Sequence, residues 1–201
     1  MSDRVCWIET VPTDQADNLL KQIYDTVKRD DGTVHHLYQA FSSFPQATLS
    51  ADSLYRDIMH SSDAPLPMWL TELISIQVAD LARCTYAFAH HSANFLYLYR
   101  EAGYTDGKAV VDGLQAGDWS SAPFDQRMRA ILDFGNKLTL RPHDITRLDI
   151  EALHDAGLND AEISQVVQVA ANFAYWVRVI NAFGIQLGNE KVGKYGHTRV
   201  T

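Results

Sequence analysis

At 201 residues and 46% hydrophobic content, the chain is long enough to bury a substantial core as one domain or as two fused halves. Seventeen basic against twenty-five acidic side chains leave a net charge of -8 with no Lys/Arg-rich block, which argues against nucleic acid as a partner. Cys6 and Cys84 are too few for a disulfide framework, and no basic-then-apolar leader opens the chain. Arg178 and Asn181 interrupt the most apolar region, around 166–185, so no membrane span is expected and a reducing cytoplasm is the expected location.

Apolar residues recur mostly at helical spacing and strand-like alternation is scarce, so the expected fold is all-α. In chain order, helices are expected near 13–30, 33–42, 46–61, 67–82, 84–102, 106–116, 124–140, 146–156 and 160–187. Asp31-Gly32 stops the first, Pro45 precedes the third, and Pro65 and Pro67 precede the fourth. Gly103 ends the fifth and Pro142 the seventh, while Asp160 followed by Glu162 starts the last. That last helix is apolar on most faces and is expected to be central or an oligomer interface. The stretches Glu72 to His91 and Glu162 to Asn181 echo each other faintly, a Glu followed by Tyr86 or Tyr175, as two copies of one helical unit would. One domain is expected over 1–187. The tail 188–201 lacks apolar periodicity and is expected to be loose or to wrap a neighbouring subunit.

The residue types that carry chemistry gather in Glu72…Cys84-Thr85-Tyr86-Ala87-Phe88-Ala89-His90-His91. On a helix, residues 84, 87 and 91 share one face, which puts Cys84 and His91 together with Ala87 between them. The plain role for Cys84 is a small buried hydrophobe. The chemical role rests on its place in the first turn of a helix, where exposed N–H groups and a nearby imidazolium favour the thiolate. His90 points about 100° away from His91 and is expected to make a polar contact at a helix or subunit interface. On one straight helix Glu72 lies about 18 Å from Cys84, so cooperation needs a break, yet Leu81-Ala82-Arg83 carries no break signal. Glu72, Cys84, His90 and His91 match no standard zinc spacing, and no metal is expected. His35-His36 and His143 are expected in solvent. Phe95, Tyr97, Tyr99, Phe173, Tyr175, Trp176 and Phe183 are expected as core or interface, with a pocket for an apolar substrate as the sharper alternative. Arg178 is expected in a buried ion pair or a helix-end contact.

The register of Glu72, Cys84 and His91 resembles the alkylhydroperoxidase D and carboxymuconolactone decarboxylase superfamily. Trp7-Ile8-Glu9-Thr10-Val11-Pro12, Ala130-Ile131-Leu132-Asp133-Phe134 with Lys137-Leu138-Thr139, Ala156-Gly157-Leu158-Asn159-Asp160, and Arg178 followed by Ala182-Phe183-Gly184 resemble its longer, peroxidase-related members. The resemblance implies a helical homo-oligomer (dimer, trimer or hexamer) that needs no cofactor. It also implies a relay in which Glu and His activate a Cys-x-x-Cys pair against hydroperoxides, with an external thiol as reductant. Ala87 stands where the family's peroxide-attacking Cys would be. Three readings follow. In the first, favoured by the resemblance, Cys84 itself becomes the sulfenic acid in an antioxidant peroxidase, with His91 as base, Glu72 orienting it, and Tyr86, His90 and Arg178 as accessory candidates. In the second, His91 and Glu72 act without a thiol on a small carbon acid or lactone. In the third, the fold is a non-catalytic oligomeric ligand-binding scaffold.

Overall fold

Helix α4 (Met68–Leu81) is the centre of the molecule, as seen in a computed structural model that describes residues 4–195. The described residues hold nine α-helices, two 3-10 turns and no strand. Ten of the fourteen residues of α4 are buried, and α5 (Thr85–Glu101), α7 (Gln126–Leu140) and α9 (Asp160–Phe183) pack around it. The other helices are α1 (Asn18–Val27), α2 (His36–Ala40), α3 (Thr48–His60), α6 (Gly107–Ala116) and α8 (Arg147–Asp155). α3 leans on α9 and α4, α6 on α5, and α8 on α7, while α1 and Val34 form a small separate core. No described helix is long and apolar enough to cross a membrane.

Local chemistry explains the boundaries. Asp125 caps α7 by accepting from the Met128 N–H, and reciprocal capping boxes, Thr146 with Asp149 and Asn159 with Glu162, open α8 and α9. α9 is less central than its composition suggests. Ala161, Ser164, Gln168, Ala171, Tyr175, Arg178 and Ala182 form an exposed stripe at three- and four-residue spacing, and the alanines disguise it as apolar. At its end Gly184 is left-handed, with the Trp7 indole lying where a side chain would stand, and the Trp7 backbone N–H donates to the Phe183 carbonyl.

The joint between α4 and α5 positions the site. Arg83 adopts φ +52°, the left-handed conformation that glycine usually supplies. The Arg83 N–H donates to the Asp80 carbonyl and the Cys84 N–H to Ala79, a Schellman closure, and Cys84 at once becomes the N-cap of α5. Asn181 from α9 donates Nδ2–H to the Ala82 carbonyl at 2.9 Å, satisfying an acceptor the helix end leaves free. Arg83→Gly should therefore raise stability by about 0.5–1 kcal/mol, and Asn181→Ala should lower it by about 1 kcal/mol, read from urea unfolding midpoints.

Candidate active site

The break folds Glu72 back beside α5. Its carboxylate is completely buried, and both oxygens are engaged: Oε2 accepts from His91 Nδ1 at 2.6 Å and Oε1 from Asn94 Nδ2 at 3.1 Å. Burial of a charge is tolerable on these terms because each oxygen keeps a donor. Donation through Nδ1–H leaves Nε2 of His91 as the free lone pair. Asn94 is fixed in turn by the Lys194 N–H, which donates to its Oδ1 at 2.6 Å.

His91 lies on the wall of a cavity of about 580 Å³ lined by the end of α1 and the loop after it, by α2, α3, α5 and α9, and by the segment 188–195. Leu37, Tyr55, Phe173, Trp176 and Ile180 supply apolar wall, and the Phe173 ring meets His91 edge-on at 4.6 Å. Charge of both signs adds to the lining, from Arg29, Arg56 and Lys194 on one hand and Asp30, Asp31 and Asp52 on the other. On the 84–87–91 stripe the residue at the cavity surface beside His91 is Ala87, whereas Cys84 sits beneath the joint at 1% exposure. Burial pushes the Cys84 thiol up, against the lowering effect of the Ala87 and Tyr86 N–H groups, so its thiolate fraction at neutral pH is small. Cys6 is likewise free and buried.

A second carboxylate, Glu190, lies against His35, Tyr86 and His90 of the cavity lining. It accepts from His35 Nδ1, from the His36 N–H at 3.2 Å and from the Tyr86 hydroxyl at 2.9 and 3.0 Å, with His90 Nε2 at 3.6 Å. His35, His90 and Glu190 bring three ligand-type atoms within 4.8 Å of one another. The far nitrogens of both imidazoles, however, face N–H donors: Arg29 Nη1 against His35 Nε2, and the Gly193 N–H against His90 Nδ1 at 3.1 Å. The protons therefore sit on the nitrogens aimed at Glu190, and the cluster is built as a carboxylate cage rather than a metal-ligand set. Burial lowers His90 to about 3 against the pull of Glu190, and lowers His60, on another part of the wall, to about 4, with Lys194 and Arg56 acting in the same direction.

Several expectations need correcting. His35 and His36 are not in solvent: their side chains are 23% and 22% exposed, because segment 188–195 lies over the start of α2. His143, at 80% side-chain exposure, is in solvent as expected. Arg178 is in neither a buried ion pair nor the cavity; it is exposed on the outer stripe of α9 and donates to Ala174 of its own helix. Residues 188–195 fold over the chain's own cavity instead of being loose, while the tail beyond Tyr195 lies outside the described residues. Glu72, His91, Tyr86 and His90 converge on the cavity region, with Cys84 just behind it. Asn94 was within reach of sequence reasoning, three residues past His91 on the same face. Tyr55, His60 and Glu190 arrive from distant segments with no local signal.

No protein-family model matches the chain, and no curated protein matches it in sequence. Solved structures do match. A peroxidase-related protein of the alkylhydroperoxidase D core from Ralstonia eutropha JMP134 superposes with a TM-score of 0.78 at 19% identity, over 92% of this chain and 93% of that one. A peroxidase-related protein from Silicibacter sp. TM1040 gives 0.74 at 24% identity, over 92% of both chains. A cysteine-to-alanine variant of the debrominase Bmp8, in complex with 2,3,4-tribromopyrrole, gives 0.67 at 15% identity, again over 92% of both.

Because His60 and His90 are buried as neutral bases, their folded-state pKa values lie below the ordinary 6.5. The stability this contributes is complete above about pH 6.5 and is lost as pH falls toward 4. His60→Gln should flatten the fall of the urea midpoint across that window relative to the wild type, and an unchanged slope would count against the neutral assignment. The fold and the arrangement of helices are those of the alkylhydroperoxidase D-like proteins.

Proposed function

We propose that this chain is a proton-transfer enzyme on the alkylhydroperoxidase D-like scaffold, in which His91 is the general base and Glu72 orients it and compensates its charge. The observation that carries this reading is the division of roles along one helix face. The imidazole has Nδ1 fixed on a buried carboxylate and stands in a largely apolar cavity, whereas the thiol is shut beneath the joint and pushed toward its protonated form. The chemistry needs no thiol, cofactor or metal. The substrate is a small, mainly apolar organic molecule with an acidic C–H, of the carbon-acid or lactone kind; a neighbour of the same fold that is seen with 2,3,4-tribromopyrrole supports a small planar ligand. A homo-oligomer in a reducing cytoplasm is the setting we propose.

One observation favours a second reading, a one-Cys peroxidase. The Tyr86 and Ala87 N–H groups at the start of α5 approach the Cys84 sulfur, as a thiolate would need, and two neighbours of the fold are described as peroxidase-related. There the thiolate would attack the terminal peroxide oxygen and break the O–O bond, a proton passing to the departing alkoxide, to give a sulfenic acid and an alcohol; one external thiol would condense with the sulfenic acid to a mixed disulfide and water, and a second would release the Cys84 thiol.

The two are separated by solvent deuterium incorporation into a panel of small enolisable ketones and lactones, run beside sulfenic-acid trapping after brief hydroperoxide treatment. On the general-base reading His91→Ala slows exchange at least ~100-fold and Glu72→Gln slows it too, while Cys84→Ser leaves it unchanged. Rapid trapping at Cys84 without any exchange would establish the peroxidase reading instead. Neither activity in the wild type would leave the scaffold reading.

A further inference from the structure

Four tyrosines line the cavity: Tyr38, Tyr55, Tyr86 and Tyr195. The hydroxyls of three are committed within the protein, Tyr38 to Asp52 at 2.5 Å, Tyr86 to Glu190, and Tyr195 to the Met68 sulfur at 3.0 Å. Tyr55 is different. Its hydroxyl makes no hydrogen bond to any described residue, and the side chain is part of the cavity lining. A tyrosine held inside a protein ordinarily finds a partner for its hydroxyl, so an unpaired one on a cavity wall is placed for a ligand.

The surroundings of Tyr55 are those of the proposed base. Its ring lies 6.5 Å from that of His91, 5.3 Å from that of His60 and 6.2 Å from that of Phe173. Burial first, and then the Glu72 carboxylate, hold the phenol well above its ordinary pKa. It keeps its proton throughout the physiological range and is a donor rather than a second base.

We propose that Tyr55 is a catalytic residue of this site, the hydrogen-bond donor that holds the oxyanion of an enolisable carbonyl substrate while His91 removes the neighbouring carbon-bound proton. The assignment rests on the general-base reading of His91. In the step, the C–H bond breaks and its proton passes to His91 Nε2. The electron pair forms the carbon–carbon double bond as the carbonyl π pair moves onto oxygen, and the Tyr55 O–H donates to that oxygen without surrendering its proton. Return of the proton from His91 to carbon restores both groups, so nothing is oxidised or reduced. The substrate class this selects is a ketone, ester or lactone with an acidic position beside the carbonyl, and with a ring or chain small enough for the apolar walls.

Tyr55→Phe removes only the hydroxyl. The probe is 4-nitrophenol, whose phenolate stands in for the enolate and whose absorbance reports hydrogen bonding to its oxygen. The full wild-type chain should bind the phenolate with a displaced absorbance band. Tyr55→Phe should weaken binding about tenfold or more, the range for a hydrogen bond to a charged acceptor, while its thermal unfolding midpoint stays at the wild-type value. Equal affinity and spectrum in the two proteins, or no binding to the wild type, overturns the assignment. Deuterium exchange then tests the catalytic part: Tyr55→Phe should slow it while His91 is intact. Because phenolate binding needs no turnover, Tyr55-dependent binding without any exchange in the wild type would overturn the catalytic role and the general-base reading, leaving Tyr55 as a ligand-binding donor only.

Discussion

The left-handed turn at Arg83 is the constraint on which the rest of the site depends. Without it, α4 and α5 would be one helix, with Glu72 and His91 separated by roughly 28 Å along its axis. With it, their side chains meet at 2.6 Å in the middle of an antiparallel hairpin. A non-glycine residue in this conformation costs about 1–2 kcal/mol. The Schellman bonds to Asp80 and Ala79, the Asn181 amide on the Ala82 carbonyl, and the burial of Ala79 and Cys84 at the joint offset that cost. α9 thus does more than cover α4, because it also stabilises the bend that builds the relay. Cys84 has a clear structural task here, as a small apolar residue filling the inside of the turn.

A second theme is the repeated pairing of a poorly solvated carboxylate with donors around one cavity. Glu72 has His91 and Asn94; Glu190 has His35, the His36 N–H and Tyr86; Asp52 has Tyr38 and Arg56. Each would cost several kcal/mol if its partners were removed and the charge left enclosed. The pairs are not independent. Gly193 and Lys194, a few residues past Glu190, donate to His90 and to Asn94, and Asn94 donates to Glu72, so the anchoring of segment 188–195 reaches the base through a continuous chain of hydrogen bonds. The cage around Glu190 and the relay around Glu72 are thus joined through the backbone between Glu190 and Lys194, and the Lys194 and Asn94 bonds help to hold the carboxylate on which His91 Nδ1 is fixed.

Much of this was legible in the sequence. The all-α architecture and the nine helices follow from helical periodicity punctuated by Pro45, Pro67, Gly103 and Pro142, and most observed ends fall within a few residues of the expected ones. The candidate set Glu72, Cys84 and His91 was visible in its spacing once the family resemblance was recognised. The turn was not visible, because Arg83 has no intrinsic preference for a left-handed backbone and is held there by tertiary contacts, Asn181 among them. Tyr55 and Glu190 were hidden for a related reason: their placement comes from α3 packing on α9 and α4 and from segment 188–195 folding over α2 and α5, and nothing local marks either residue. The exposed stripe of α9 is not legible in the sequence because three of its positions are alanines, and alanine is silent about burial.

In the proposed function, position 87 bears directly on which chemistry the cavity favours. Residues 84, 87 and 91 rise in order from beneath the joint, across the cavity surface, to the base, and the middle one carries a methyl group where a nucleophilic sulfur would face an incoming ligand. The remaining ionisable groups of the inner wall are mostly held in one state. Burial keeps Tyr38, Tyr55 and Tyr86 as phenols and His60 and His90 as neutral imidazoles. His91 differs from those two imidazoles in having a fully enclosed carboxylate 2.6 Å from one nitrogen, placed to compensate the charge that arises when the other nitrogen takes a proton. On the reading proposed above, a cavity with no exposed thiol and one such base suits the movement of protons, and the structural likeness to peroxidase-related proteins describes the fold alone.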